Sequence, residues 1–273
     1  MEMNVSDQRK RIPILMYHSI SAEAGPKYRQ FAIPPMCFAE QMAFLNQQGY
    51  TPLTVSQFVQ VSQAGVGALP ARPVVLTFDD GFLDFYTDAL PIMQQYGCTA
   101  TLYVATSYVE GTSRWMQRIG EGSRRILSWH QLQEISDSGI ECGAHSHTHP
   151  QMDLIPLSQA RQEILQSKYI LEEHLGITIN SFAYPYGYYT SAVKQLVCSA
   201  GYSSACATGY ALNIEVTDPF ALKRLLVSPD MDIHAFAALL EGHDRRVTFA
   251  AYTKPIVPVW RAVRYGSALA HHS

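Results

Sequence analysis

Residues 74–81, Val-Val-Leu-Thr-Phe-Asp-Asp-Gly, constrain the fold of this chain more than any other stretch. Five residues of mostly apolar, β-forming character run without interruption into two adjacent carboxylates and a glycine. An unbroken apolar run is the pattern of a strand buried on both faces, as in a parallel sheet covered by helices. Such a strand delivers Asp79 and Asp80 to its C-terminal mouth, where Gly81 permits a sharp turn that leaves both free. In α/β architectures that rim is where chemistry is usually placed. Taken alone, the octapeptide reads equally well as a strand ending in an ordinary Asp-Gly turn.

The flanking sequence supports the parallel reading. Residues 11–17 form a first strand that ends at His18, and residues 21–36, with Gly25, Pro26, Pro34 and Pro35, form a long loop. Phe38, Met42 and Leu45 repeat at helical spacing before Gly49, and a short helix follows at 56–63. Beyond the carboxylates come a helix over 84–96, a strand over 99–105, and a polar surface loop over 107–126 carrying Arg114, Arg118, Arg124 and Arg125. Ser128 caps a helix over 129–138, and a short strand at 140–144 runs into His145. A helix at 158–175, a strand at 179–183, a helix at 190–200, strands at 202–207 and 222–227 and a helix at 232–241 complete the core. Strands that alternate with helices at least five times favour a parallel α/β sheet or barrel. Nothing marks an interdomain linker, so the expected organisation is a tail over 1–10, one domain over 11–241 and a C-terminal extension over 242–273.

Composition narrows the function classes. The 273 residues are 47% hydrophobic and carry a formal net charge of −3 with no long basic run, which argues against a nucleic-acid partner. Residues 1–11 lack the apolar segment of a secretory signal, and no window approaches a membrane helix, so the chain as written reads as cytoplasmic, with an exported mature form as the alternative. Cys37, Cys98, Cys142, Cys198 and Cys206 are scattered and odd in number, the pattern of reduced, mostly buried thiols.

Residues 145–149 are His-Ser-His-Thr-His, followed by Pro150. Three of the ten histidines fall within five positions. His145 and His149 come to one side whether the backbone is helical or extended, and Pro150 disfavours helix at His149. A histidine pair plus one carboxylate makes a three-ligand metal set with open positions for water and substrate. The competing interpretation is a surface histidine cluster without metal. A zinc protease fits poorly, because Ser146 stands where the HExxH motif needs glutamate. A third stretch, Ser181 to Gly187 (Ser-Phe-Ala-Tyr-Pro-Tyr-Gly), is either an ordinary turn or a rim element at a strand end.

In this order, Thr77-Phe78-Asp79-Asp80-Gly81, His145-Ser146-His147-Thr148-His149 and the Tyr-Pro-Tyr-Gly turn resemble the polysaccharide deacetylases, the carbohydrate esterase family 4 enzymes with a NodB homology domain. The likeness covers about residues 11–241. A Met-Tyr-His opening and a late Leu-Lys-Arg-Leu-Leu-Val strand look like the poly-β-1,6-N-acetylglucosamine deacetylase branch. The resemblance implies a distorted (β/α) barrel of about seven strands, with Asp79 as general base and Asp80, His145 and His149 as metal ligands. It also implies an oxyanion site at the backbone N–H of Tyr186. The third motif departs from the family pattern, since Ala183 stands where many relatives have an arginine, and Arg224 is the candidate to replace it. The family's usual general acid has no evident counterpart, and His18 is the candidate in its place. Tyr184, Pro185, Trp129 and Arg224 are the expected substrate contacts, with Tyr17, Tyr188 and Tyr189 as further rim aromatics.

On this reading the chain hydrolyses the N-acetyl group of an amino sugar with one divalent ion, zinc first and cobalt, nickel, iron or manganese next. Its partner is then a carbohydrate bearing N-acetylamino sugars. The alternatives are an amidase acting on a non-sugar or cyclic amide and a silent carbohydrate-binding domain.

Overall fold

The computed structural model describes residues 11–64, 68–209, 211–213, 216 and 218–243. The expected tail over 1–10 and nearly all of the extension over 242–273 lie outside the described residues. Strands β1 (Ile14–Tyr17), β5 (Pro73–Phe78), β6 (Thr101–Val104), β7 (Glu141–Ala144), β8 (Ser181–Ala183), β9 (Ser204–Thr208) and β10 (Leu222–Leu226) pair in parallel and close on one another. Closure runs through β1, which pairs with β10 on one edge and with all of Val75–Phe78 on the other. The result is a parallel seven-stranded barrel in a single domain, the architecture that the family resemblance implies and one of the two, sheet or barrel, that the strand–helix alternation leaves open.

Closure sorts the side chains of each strand into two sets, because successive residues point to opposite faces. Outward residues such as Leu76, Phe78, Leu102 and Phe182 join the large core beneath the helices. Inward residues such as Ile14, Val75, Tyr103, Ala183 and Cys206 form a second, smaller core. A short strand β4 (Thr51–Leu53) pairs with the first half of β5, on the edge that β6 occupies in the second half. The helix after it, α2 (Val55–Gln63), lays Val55, Phe58 and Val59 against the inner core.

The helices that cover the outer face are α1 (Pro35–Gln47), α3 (Leu90–Gln95), α4 (Trp129–Asp137), α5 (Leu157–Leu175), α6 (Ser191–Ser199) and α7 (Ile233–Leu240). Ser128 caps α4 through the reciprocal Ser128–Gln131 pair, as its sequence position predicts. The helix expected over 84–96 is broken: residues Phe85–Ala89 form a π turn and only then does α3 begin. Pro91 explains the shift, because it has no N–H to close the preceding turn in α register. Three short strands escape the periodicity reading: β4, and β2 (Ser19–Ile20) with β3 (Ala32–Ile33), which lies within the expected 21–36 loop and pairs with β2. None of the helices among the described residues is long and apolar enough to cross a membrane. All five cysteines are free thiols.

Candidate active site

Four strand ends meet at the C-terminal mouth of the barrel. Asp79 follows β5 and anchors its backbone by donating its N–H to Tyr17 O at 3.0 Å. Asp80 adopts φ 79° and Gly81 φ 75°, a left-handed pair that turns the chain so that both carboxylates face inward. His145 follows β7, and its backbone N–H bonds to Val104 O. Ser146 and His149 both take positive φ, and Ser146 Oγ accepts the His149 N–H at 3.0 Å. The strained turn brings the two imidazoles to Asp80: His149 Nε2 lies 3.1 Å and His145 Nε2 3.6 Å from Asp80 Oδ1.

The donor chemistry of this trio fits a metal. His145 Nδ1 lies 2.8 Å from Ala183 O, and a carbonyl only accepts, so Nδ1 carries the proton and Nε2 presents a lone pair. Burial pushes the His145 pKa down to about 4, against the pull of Asp79, which keeps the ring neutral as a ligand must be. Asp80 Oδ1 is buried without a hydrogen-bond partner among the described residues. One ligand atom from each of Asp80, His145 and His149 falls within 4.8 Å of the others, and all three residues are buried. Two imidazole nitrogens and one carboxylate oxygen match a catalytic zinc set.

Asp79 is held differently. Arg224, fully buried on β10, donates Nη1 to Asp79 Oδ1 at 2.6 Å and Nη2 to Oδ2 at 2.7 Å. Burial alone would raise the Asp79 carboxyl, but Arg224 and His145 hold it well below the usual carboxylate range. The remaining guanidinium contacts run to Thr77 Oγ1 and to Ala207 O, both at 3.2 Å. Arg224 is therefore a clamp on the carboxylate, and it also lines the cavity above the site.

A cavity of about 460 Å³ opens over these groups. His18 lines it, with its Nδ1 buried and unpartnered among the described residues and its ring against Phe31 at 4.9 Å. Burial lowers the His18 pKa, while Asp80 and Asp79 act in the opposite direction. Tyr186, at φ 59°, sets its ring 4.8 Å from His149 at the mouth. Gly187 is required next to it, because a Cβ there would meet Thr208 Oγ1 at 2.1 Å.

Three expected substrate contacts lie elsewhere. Tyr184 points to the outer core, stacks on Tyr189 at 4.4 Å and donates its hydroxyl to Phe220 O. The alternation of β8 decides this, since Ala183 already takes the inward position. Pro185 is buried behind the turn and does not line the cavity. Trp129, at the start of α4 on the outside of the barrel, stacks on His174 at 3.8 Å and 5°.

The structure also supplies residues that periodicity does not show. Trp115 stacks on His149 at 5.1 Å and 29°, and Tyr28, Met116 and Ile119 extend that wall. The stretch over 107–126 is thus a cleft wall rather than a plain surface loop; its signal in the sequence is Trp115, Met116 and Ile119 embedded among polar residues. Glu163, on the buried face of α5, accepts the N–H groups of His147 and Thr148 at 2.8 and 2.7 Å, together with the Thr148 hydroxyl. An acid on a helix face otherwise made of small and apolar residues was the available clue.

Comparison with known proteins agrees with this geometry. The family model for polysaccharide deacetylase matches residues 67–205, just over half of the chain. YxkH of Bacillus subtilis (strain 168), whose name places it provisionally among polysaccharide deacetylases, is 27% identical over 238 residues, covering 87% of this chain and 78% of YxkH. A poly-beta-1,6-N-acetyl-D-glucosamine N-deacetylase of Staphylococcus epidermidis is 25% identical over 260 residues, covering 89% of this chain and 82% of that protein. Among solved structures, the Streptococcus pyogenes deacetylase PplD, in complex with acetate, is similar at TM-score 0.72 and 26% identity, covering 85% of this chain and 98% of its own.

Proposed function

The chain belongs to the polysaccharide deacetylase family, and on that premise we propose that it removes N-acetyl groups from an amino-sugar poly- or oligosaccharide, releasing acetate. The observation that carries the reading is the division of labour between adjacent carboxylates: Asp79 is clamped by Arg224, whereas Asp80 is offered with two imidazole nitrogens. Asp80, His145 and His149 would hold one divalent ion; zinc suits the donor set best, with cobalt, nickel, iron or manganese as substitutes. Such an ion supplies the positive charge that polarises the acetamide oxygen and acidifies water.

The chain's own groups account for the protons. Asp79, kept ionised by Arg224, takes a proton from the attacking water; the C–N bond breaks, and the departing amine must gain a proton. The backbone N–H of Tyr186 would receive the developing oxyanion, a role supported by the Tyr186 ring lying 4.8 Å from His149. His18 is the candidate acid on position. Its burial favours the neutral ring at rest, which favours a second route in which Asp79 returns the proton it took. His18→Gln distinguishes the two, abolishing turnover on the first route and sparing most of it on the second.

Poly-β-1,6-N-acetylglucosamine is the substrate class suggested by the Staphylococcus epidermidis relative, with the catalytic unit over 11–241. The deciding experiment measures bound metal and acetate release together, on wild type and His145→Ala, over a panel of N-acetylglucosamine oligomers. Metal near one equivalent, with acetate release lost in the variant, is expected. Metal without acetate from any sugar would move the reading to another amide or to a silent binding domain; absence of metal from both would sink the site.

A further inference from the structure

The inner core beneath the site contains a residue that the mechanism above does not use. Tyr103, on β6, is fully buried and points into the barrel. Its ring lies under Arg224, with the guanidinium carbon 5.6 Å from the ring centroid, and 6.4 Å from the ring of His145. The hydroxyl is satisfied away from the site, 2.6 Å from Ser181 Oγ and 3.3 Å from Cys206 Sγ, and Ser204 Oγ in turn donates to Ser181 Oγ. The phenol therefore leans from β6 across β7 to reach β8 and β9.

The residue it leans over is glycine. Gly143 is the register partner of Tyr103, and a Cβ there would lie 2.6 Å from both Cδ1 and Cε1 of the ring. Gly143 does not adopt a left-handed conformation, so backbone freedom does not explain it; clearance for the ring does, with the Ser181 carbonyl oxygen of β8 a looser constraint at 3.0 Å.

We infer that Tyr103 is a positioning residue: its ring is the floor that holds the Arg224 guanidinium in the plane of the Asp79 carboxylate. Hydrogen bonds to Asp79, Thr77 and Ala207 fix the guanidinium within its plane. Those bonds resist tilting poorly, and the π face below resists it directly, with an attraction strengthened by the absence of water. The Ser181–Cys206–Tyr103 contacts fix the tilt of the ring in turn. This inference rests on the reading of Asp79 as the base, since only then does the carboxylate's angle matter for turnover.

The test is a double-mutant cycle on the zinc-loaded enzyme with N-acetylglucosamine oligomers, joined to crystal structures of each variant. Tyr103→Leu removes the face, and kcat is expected to fall about 10²-fold with KM and metal content retained, the loss expected from a misplacement of about 1 Å. Tyr103→Phe keeps the face and should recover most of that loss. Gly143→Ala displaces the ring without altering the Tyr103 side chain and should reproduce the kcat defect even if Tyr103→Leu does not fold; because the new Cβ also lies 3.0 Å from Ser181 O, its crystal structure must show β8 unmoved for the defect to count. In an Arg224→Gln background, Tyr103→Leu should cost nothing further, because the residue acts through Arg224. Equal losses in both backgrounds, or an unchanged kcat, would overturn the inference. If wild type releases no acetate, the function reading fails and the crystal structures decide alone: an Arg224–Asp79 pair still bidentate in Tyr103→Leu and Gly143→Ala refutes the floor.

Discussion

The two sides of the cleft are built by different means. One side consists of strand ends: Asp79, Asp80, His145 and Arg224 project from β5, β7 and β10, whose register is fixed by the closed ladder. The other side consists of the 21–36 and 107–126 segments, where Phe31, Trp115 and Met116 sit on short 3-10 helices outside the ladder and pack with Tyr28 around Phe82 and Ile126. Arg124 supplies the tie. It donates to Asp84 at 3.1 Å, to Glu121 at 3.2 Å, to Glu23 O at 3.0 Å and to Ser19 Oγ, and its guanidinium faces the rings of Tyr28 and Phe82. Glu121 then reaches Gly25 N, closing the link between the loops. A rigid ladder places the reacting groups, and a partly buried ion cluster together with a small apolar cluster places the wall that faces the substrate.

If that division is right, strand-end substitutions change kcat and wall substitutions change KM. The largest effect is expected at Asp79. Asp79→Asn keeps the size of the side chain, removes the base and should lower kcat by about 10²–10⁴-fold while leaving metal content unchanged. Loss of metal in that variant would mean that the two aspartates have been assigned in reverse. Arg224→Gln comes next: it leaves a buried carboxylate without its cation, a change that typically costs about 3–5 kcal/mol of stability. Chemical denaturation should show that loss together with a lowered kcat; full stability would mean that Asp79 is not charged in the folded state.

These two residues also mark the limit of what the sequence shows. Asp79, Asp80, His145 and His149 are legible because reactive side chains crowd into five-residue motifs at the ends of apolar runs. Arg224 is one of two adjacent charges in β10, beside the exposed Lys223, and nothing local says that it is the one that turns inward to a carboxylate 145 positions away. The wall is harder still. Arg124 meets Ser19 across 105 residues, and a polar segment rich in arginine reads as surface unless its partners are known. The same holds for Tyr184, whose outward direction follows from β8 pairing rather than from the Tyr-Pro-Tyr-Gly motif itself. Strand alternation was visible in the sequence, but barrel closure, which decides which alternate faces inward, was not.

Glu163→Gln probes the seam between the two sides. The carboxylate holds the backbone between His145 and His149 without touching either ring. Weakening it should cost about 1–3 kcal/mol and reduce metal affinity by about 10–100-fold, measured by competition with a chelator. Unchanged affinity would show that the Ser146 and His149 turns are self-supporting. Arg124→Gln should act on the wall alone, raising KM for oligomers by about ten-fold, or about 1.4 kcal/mol of ground-state binding, at nearly constant kcat. A fall in kcat with constant KM would break the comparison, since it would make the loop wall part of the reacting apparatus.

Trp129 gives the smallest expected effect and the sharpest check on the geometry. Its composition and position beside a helix N-cap suggest a sugar platform, yet its indole lies flat on His174 of α5, outside the barrel. Trp129→Ala should therefore leave kcat and KM for every oligomer within experimental error of wild type. The stacked pair ties α4 to α5, so its loss should appear instead in thermal unfolding, at about 0.5–1.5 kcal/mol for the aromatic contact beyond the area buried. A raised KM without a change in melting temperature would place saccharide on the α4–α5 face. Binding would then extend beyond the strand-end mouth, along the outer helices, and the loop wall would be only the first part of a longer groove.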